Sequence, residues 1–180
     1  MSKFTSRTDY FKALAIADPH IQHEAVINVD GESQTRKSFV QVAADQDTLN
    51  ADTVNGLNYP FFAQIGFNGS LSDRDGDIRN RYSNRIQFLT KATPTDASPL
   101  MEDAIKAAKE LTYSIMKHWL NRMMYDNQND CPAEFVRIEF NGISWIDIGP
   151  IADNFYGWEV SFTDDEPAKD VIDYQPAYWQ

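Results

Sequence analysis

One continuous amphipathic segment, from Ser98 to about Tyr125, constrains the fold of this chain more than any other feature. Ser98 can cap the helix N-terminus, Pro99 sits at the first helical position, where its missing N–H is tolerated, and acidic residues follow in the first turn. Apolar side chains recur at three- and four-residue spacing, at Met101, Ala104, Ile105, Ala108, Leu111, Ile115, Trp119 and Met123. The pattern predicts a long helix that lays an apolar stripe on a sheet and ends before Pro132.

Strand-like segments lie on both sides of this helix. A short helix is predicted at "TSRTDYFKALAIA", followed by a hairpin whose strands are residues 25–29 and 39–42, with the turn at "DGES". "YPFFAQIGFNG" and "RYSNRIQFLTKA" predict a second strand pair, separated by the polar segment "SLSDRDGDIRN". After the long helix, "AEFVRIEF", "GISWIDIG" and "FYGWEVSFT" predict a three-stranded meander with a hairpin turn at Asn141-Gly142.

These elements predict an α+β fold: a mainly antiparallel sheet of about five to seven strands, flanked by one long and one short helix. The chain of 180 residues is long enough for one hydrophobic core. We therefore assign residues 1–164 to a single α+β domain and residues 165–180 to an extended C-terminal tail. The tail mixes charges, prolines and aromatic residues, which is typical of a segment that docks on another surface.

The stretch "GPIADNFYGWEVSF" has two possible interpretations, a ligand site or a corner of the sheet. Gly149-Pro150 is predicted to end one strand, and Asp153-Asn154 fits a turn. Gly157, between a tyrosine and a tryptophan, permits a bulge or a close approach of two backbones. A carbohydrate- or base-stacking platform would also use these aromatic side chains, but aromatic pairs more often fill cores and interfaces. We favour the sheet corner.

The balance of charges excludes several classes of protein. With 16 basic and 27 acidic residues, the formal net charge of −11 repels a phosphate backbone, so we expect no sequence-specific nucleic-acid binding.

No apolar run approaches the roughly 20 residues that cross a bilayer, and the start "MSKFTSRTDYFK" lacks the hydrophobic stretch of a signal peptide. These features predict a cytoplasmic site of synthesis and no membrane partner. Cys131 is the single cysteine, which leaves no internal disulfide and no thiolate cluster for zinc.

Two groups of residues are candidate metal ligands. Asp73, Asp75 and Asp77 alternate as in a calcium loop, but Ile78 and Asn84 stand where such a loop needs glycine and glutamate. His20 and His23 lack the further ligands that zinc requires. We favour an acidic inter-strand loop and ordinary loop histidines, and predict no metal and no cofactor.

The sequence also lacks a nucleophile elbow, a Walker loop and a dinucleotide-binding turn, which favours a protein that is not an enzyme.

The predicted element order is helix, hairpin, strand pair, long helix, meander and aromatic tail. With "YPFFAQIGF" ahead of the acidic loop, "MEDAIKAAKELTYSIMKHWLNRM" in the middle and "IGPIADNFYGWEVSFT" near the end, it resembles small structural proteins of phage and prophage morphogenesis clusters of the Bacteroidetes type. The chain is similar in layout to tail terminator or head–tail connector subunits. The resemblance covers most of the chain and consists of patterns of apolar positions rather than chemical motifs.

This resemblance implies a non-enzymatic virion subunit that is assembled in the bacterial host cytoplasm. It implies a homo-oligomeric ring that caps the tail or joins it to the head, with the tail tube or a portal or adaptor as neighbours. An acidic lumen would let DNA pass through without binding, because like charges repel. The alternative interpretation of the charge is that many cytosolic proteins are acidic. The candidate subunit contacts are in the acidic loop and the C-terminal tail, at Asp73, Asp75, Asp77, Tyr174, Tyr178 and Trp179.

Two other functional classes stay open from the sequence. A small ligand-binding or enzymatic α+β domain would have a concave pocket lined by Trp145, Trp158 and titratable side chains. An acidic host-directed inhibitor would bind a basic partner without self-assembly. Self-association distinguishes the ring subunit from both.

Overall fold

The structure is a computed structural model that describes residues 7–42, 49, 54, 56–74, 77–96, 99–128, 137–138, 142–152 and 154–167. It confirms the predicted α+β class, with one short helix, one long helix and a mainly antiparallel sheet. In chain order the elements are α1 (Arg7–Ala17), β1 (Val26–Val29), β2 (Glu32–Thr35), β3 (Phe39–Gln41), β4 (Phe61–Arg74), β5 (Asp77–Lys91), α2 (Met101–Gln128), β6 (Arg137–Ile138), β7 (Ser144–Ile151) and β8 (Phe155–Pro167).

The main sheet has six strands in the part of the chain that the structure describes. Its order is β3-β4-β5-β8-β6, and β7 also pairs with β8. The two central strands β5 and β8 pair antiparallel along their length, from Arg79 opposite Pro167 to Lys91 opposite Phe155. Among the described strands, β3 alone runs parallel to its neighbour, β4. The long central pair forms the frame on which the helices and the edge strands are placed.

The hydrophobic core occupies both faces of the sheet. On one face, α1 and α2 pack against β4, β5 and β8, with the Phe62 and Trp119 rings stacked at a centroid distance of 4.2 Å. On the other face, side chains of β4, β5 and β8 are covered by apolar residues that follow β3; this cluster consists of Val42, Leu49, Val54, Phe61, Ala63, Ile65, Leu89 and Phe155. Six of the eight residues of the predicted apolar stripe therefore pack in or against the core, whereas Met101 and Leu111 are exposed.

The first hairpin has a different second strand from the one predicted. β1 pairs with β2, not with residues 39–42. The turn residues Asp30 and Gly31 both have positive φ, at 53° and 87°. Such a two-residue turn fixes the register locally and places residues 32–35 beside β1. Because β2 is the partner of β1, Phe39 belongs to β3 of the main sheet instead. Its ring stacks on that of Phe62, with the ring centroids 5.4 Å apart.

The predicted meander turn at Asn141-Gly142 is wrong. Both β6 and β7 run antiparallel to β8 along the same edge, with Arg137 opposite Asp165 and Ser144 opposite Ser161. The chain therefore continues in one direction from β6 to β7, without the reversal that a hairpin needs. The physical reason is the length of β8, whose 13 residues offer one edge long enough for both short strands.

The polar segment between β4 and β5 is mostly strand. β4 continues to Arg74 and β5 begins at Asp77, so the predicted loop shrinks to the residues around the tip. Backbone hydrogen bonds between strands do not depend on apolar side chains. The polar composition of this segment therefore led to the wrong prediction of a loop where β4 and β5 continue. Likewise β8 continues to Pro167, three residues into the segment assigned to the tail.

The "GPIADNFYGWEVSF" stretch is the sheet corner that the sequence favoured. Gly149 and Pro150 form a bulge inside β7 rather than ending it, because Ile148 and Ile151 pair with Gly157 and Phe155 across a register shift. The β7–β8 turn follows, and its residue Asn154 has a φ of 72°. A Cβ on Gly157 would lie 1.8 Å from the Phe88 carbonyl oxygen, so the predicted close backbone approach is confirmed.

Candidate functional site

The outer halves of three neighbouring strands form a ribbon that extends beyond the core. We call residues 68–74, 77–83 and 163–167 of β4, β5 and β8 the distal ribbon. The buried core clusters include no described residue of β4 after Ile65, of β5 before Ile86 or of β8 after Phe162. Seven strand residues span about 24 Å. The described residues of the distal ribbon thus add nothing to the apolar clusters, although the polar side chains of Asn80 and Asp164 within it are buried.

A bulge marks the base of this ribbon. Ile65 pairs with Arg85 whereas Asn68 pairs with Ser83, so two residues of β4 oppose one residue of β5. A bulge of this kind bends the strand and increases its twist. Just beyond it, a Cβ on Gly69 would lie 3.0 Å from the Tyr82 ring, which shows that the ring covers this glycine. The cross-strand contact supplies side-chain packing where the core has ended.

Buried polar side chains also lie at the base of the ribbon. The Asn84 Nδ2 donates a hydrogen bond to Asp164 Oδ2 at 2.9 Å, and both side chains are buried. Among the described residues, no group hydrogen-bonds to the Asn84 Oδ1 or to either amide atom of the buried Gln64 side chain. Buried amides without partners are uncommon and destabilising. These residues mark a polar boundary between the apolar core and the ribbon.

Both outer edges of the sheet are open over part of their length. β3 pairs with β4 only at residues 62–64, and no other described strand pairs with β4 on that side. At the opposite edge, β7 pairs with β8 alone among the described strands. Large apolar side chains are exposed on these edges: Leu71 on β4 is 56% exposed, and Trp145 on β7 is 50% exposed. Open edges of this kind are ready to pair with another chain.

The β1–β2 hairpin is a second projecting element. Its strands form a separate two-stranded sheet, and none of the eight strand residues is buried. Val26 is 75% exposed, a high value for an apolar strand residue. A two-stranded hairpin is at best marginally stable without packing. The hairpin is anchored to the body at its open end, where the Arg36 Nη2 donates hydrogen bonds to the carbonyl oxygens of His20 and Tyr59 at 3.1 and 3.2 Å.

The structure places part of the predicted contact set. Asp73 and Asp77 belong to the last paired residues of β4 and β5 at the tip of the distal ribbon, where Asp73 pairs with Ile78 and Arg74 pairs with Asp77. Their side chains lie outside the described part of the structure. Asp75, and the tail residues Tyr174, Tyr178 and Trp179, also lie outside the described residues. Their role in contacts therefore stays a prediction.

One polar cluster was missed by the sequence reasoning. Asp18, 3% exposed, follows α1 and accepts four hydrogen bonds. Its Oδ1 accepts the backbone N–H groups of His20 and Ile21, at 2.8 and 3.0 Å. Its Oδ2 lies 3.0 Å from both the Trp119 Nε1 and the His118 Nδ1. The first two contacts fix the turn after α1, and the last two tie this turn to the middle of α2.

This cluster resembles half of a catalytic dyad, because a buried carboxylate orients a histidine. The His118 side chain is 56% exposed. In the described part of the chain, however, no hydroxyl or thiol group hydrogen-bonds to His118. No signal in the sequence could have paired Asp18 with His118, since 100 residues separate them.

A second buried carboxylate lies on the opposite face of the sheet. Both oxygens of Glu159 accept hydrogen bonds from the Arg85 guanidinium at 3.0 Å, and the Gln87 amide donates to Oε2 at 2.7 Å. A bidentate pair holds the two strands in register with a fixed geometry. Arg85 belongs to β5 and Glu159 to β8, so the ion pair stabilises the central strand pair just below the distal ribbon.

The other histidines have structural roles or face solvent. Burial lowers the pKa of His23, which keeps its ring neutral near pH 7. A neutral Nδ1 can accept the Ser38 backbone N–H, and these atoms lie 3.2 Å apart. His20 is exposed. Among the described residues there is no group of three or more metal-ligating side chains, and no described helix has the length and hydropathy to cross a membrane.

Comparisons of the chain with protein-family models, with curated proteins and with solved structures find no match.

Proposed function

We propose that this protein is a non-enzymatic structural subunit that assembles with copies of itself into a ring. The observation that carries the proposal is the distal ribbon together with the open edge of β4. Among its described side chains the distal ribbon exposes Leu71, and one edge of β4 has no partner among the described strands. Pairing with a neighbouring copy would bury that surface and satisfy the open strand edge.

The position that we propose for this ring is the tail end or the neck of a phage virion, as a tail terminator or head–tail connector subunit. The support is the resemblance in the order of elements and in the apolar patterns. The net charge of −11 fits a ring with an acidic lumen through which DNA passes without binding. Tail-tube proteins and a portal or adaptor would be its neighbours in the virion, after assembly in the host cytoplasm.

Light scattering coupled to size exclusion, over a range of protein concentrations, tests the proposal. We expect a closed oligomer with a mass that stays constant over a range of concentrations, and ring-shaped particles in negative-stain images. A strict monomer at all concentrations contradicts the proposal. In that case the ligand-binding or enzymatic domain becomes the better hypothesis, and His118, held by Asp18, is the first residue to test.

The C-terminal tail gives a second prediction. A chain that ends at Pro167 keeps all of β8 but lacks Tyr174, Tyr178 and Trp179. Aromatic side chains are frequent anchors in interfaces, so we expect the dissociation constant of the oligomer to rise about tenfold or more, by at least about 1.4 kcal/mol. Sedimentation velocity measures the change, and circular dichroism shows that the fold is intact.

A full-length variant in which the three aromatic residues are replaced by serine is the matched control for the truncation. It separates the loss of side-chain contacts from the loss of chain length. We expect it to weaken assembly as much as the truncation does. Unchanged assembly in both variants would exclude the tail as a subunit contact.

A further inference from the structure

We infer that His23 is an acid-sensitive switch that holds the base of the β1–β2 hairpin against the body of the protein, and that protonation of its ring releases this base. His23 lies in the turn before β1, and its side chain contacts Ser38, which lies between the hairpin and β3. The inference goes beyond the proposed function and does not depend on it, because all the contacts involved lie within one copy of the chain.

The Nδ1 atom of His23 is a hydrogen-bond acceptor. It lies 3.2 Å from the backbone nitrogen of Ser38, and a backbone N–H can only donate. The ring therefore carries its single proton on Nε2 and is neutral in this arrangement. A second proton would bind at Nδ1 and place two donors against each other. The hydrogen bond and the protonated ring thus exclude each other.

Both partners of this hydrogen bond lie away from solvent. The His23 side chain is 11% exposed, and Ser38 is 0% exposed. The His23 ring meets the Phe39 ring edge-on at a centroid distance of 5.7 Å, and Phe39 stacks on Phe62 of the core. A buried imidazolium and a buried N–H without an acceptor are both costly, so a protonated ring leaves this position. Its departure opens the base of the hairpin.

The backbone on both sides of His23 is strained. Gln22 and Glu24 have φ values of 47° and 64°, in the left-handed region that residues other than glycine rarely adopt. Between them, the His23 N–H donates to the Ala15 carbonyl oxygen of α1 at 3.0 Å. Strained residues of this kind persist only while the surrounding contacts fix them. Loss of the contact with Ser38 therefore favours relaxation of the turn that carries the hairpin.

Charged groups on three segments of the chain surround this contact. Glu24, in the same turn, places Oε1 4.0 Å from Nε2 and favours the protonated ring. Lys12 of α1 disfavours it, and its Nζ lies 2.6 Å from the same Oε1. Directly after β2, the Arg36 Nε donates to the Ser38 Oγ at 2.9 Å and adds a second positive charge. Burial outweighs the attraction of Glu24 and lowers the pKa of His23.

The sign of the pH dependence follows from this lowered pKa. A released His23 titrates near the ordinary histidine pKa of 6.5, whereas the ring in place titrates at lower pH. Above about pH 6.5 neither state binds the proton, so the hairpin base is held with full stability. As the pH falls from there toward the lowered pKa, only the released state is protonated, and the equilibrium shifts toward release by up to about tenfold per pH unit. Lys12 lowers the pKa of the Glu24 carboxyl, which therefore stays ionised in this range.

Amide hydrogen exchange of the full chain, followed by mass spectrometry, tests the inference. Protection factors, corrected for the pH dependence of intrinsic exchange, are measured in peptides that contain the amides of His23 and Ser38. We expect constant protection above about pH 6.5 and a loss of up to about tenfold per pH unit below it. Peptides from residues 85–91 of β5, which lie in the central strand pair, should keep their protection. This difference distinguishes release of the hairpin base from global unfolding.

Two histidine variants assign the response. In His23→Asn, the Oδ1 takes the place of Nδ1 and accepts a hydrogen bond without titrating, so we expect the protection at Ser38 to lose its pH dependence. His20→Asn changes an exposed histidine close to the same turn and should keep the original profile. An original profile in His23→Asn overturns the inference, because another group would then cause the response. Protection in the unmodified chain that stays flat down to about pH 5 overturns it even if His23→Asn does not fold.

Discussion

Replacing Gly157 with alanine is expected to lower the free energy of unfolding by about 3 kcal/mol or more, enough to prevent the accumulation of soluble protein. An alanine Cβ at this position would lie 1.8 Å from the Phe88 carbonyl oxygen and 2.9 Å from its carbonyl carbon. Both atoms are backbone atoms of the central strand β5, so no side-chain rotation relieves the clash. The pair β5–β8 would have to separate near Leu89, which is opposite Gly157.

Two other glycines give a graded control series for this prediction. At Gly142 the nearest atom to an added Cβ is the Thr163 Oγ1 at 3.9 Å, so Gly142→Ala should change stability by no more than about 0.5 kcal/mol. At Gly69 the Cβ would meet the movable Tyr82 ring at 3.0 Å, and we expect an intermediate loss. Urea denaturation followed by tryptophan fluorescence, at one protein concentration, measures all three. A Gly157→Ala protein as stable as Gly142→Ala would disprove the close backbone approach.

Replacing Asp18 with alanine should have the second largest effect, a loss of about 3 to 5 kcal/mol. The substitution removes all four hydrogen bonds that the carboxylate accepts at once. The Trp119 indole is 2% exposed, so its N–H would be left buried without an acceptor. The turn after α1 would also lose the contacts that fix the His20 and Ile21 backbone. Chemical denaturation measures the loss.

Variants of the two side-chain donors separate the contributions at Asp18. His118→Ala removes one hydrogen bond from a half-exposed side chain, so we expect a loss of about 1 kcal/mol. Trp119→Phe keeps most of the ring in the core and removes the buried N–H, with an expected loss of about 1 to 2 kcal/mol. If His118→Ala were as destabilising as Asp18→Ala, the histidine contact rather than the buried carboxylate would be the main source of stability.

Local patterns predicted the elements well where the periodicity was long. The apolar stripe of α2 repeats over many turns, and each repeat gives independent support for the same helix. Asp30-Gly31 was correctly predicted to be a turn that reverses the chain. The strand that follows it has only four residues, all polar, so the prediction placed the second strand at Phe39 instead. A polar strand has no apolar alternation to reveal it.

The candidate site was predictable only in part. The aspartates around the tip of the distal ribbon could be read from the sequence, because alternating charges are a local feature. The ribbon itself was not predicted, because its residues are paired by backbone hydrogen bonds that polar side chains neither require nor exclude. The open edges of β4 and β7 depend on which strands cover them. That property belongs to the whole sheet.

The sequence by itself determined the α+β class, the two helices and the place of the sheet corner at Gly157, because each depends on residues within one element or one turn. The tertiary structure alone decided that β3 pairs with β4, that β6 and β7 share one edge of β8, and that Asp18 meets His118 and Trp119. These are contacts between residues distant in the chain. Their free energy comes from burial and hydrogen bonding in the assembled sheet, which no local pattern of residues encodes.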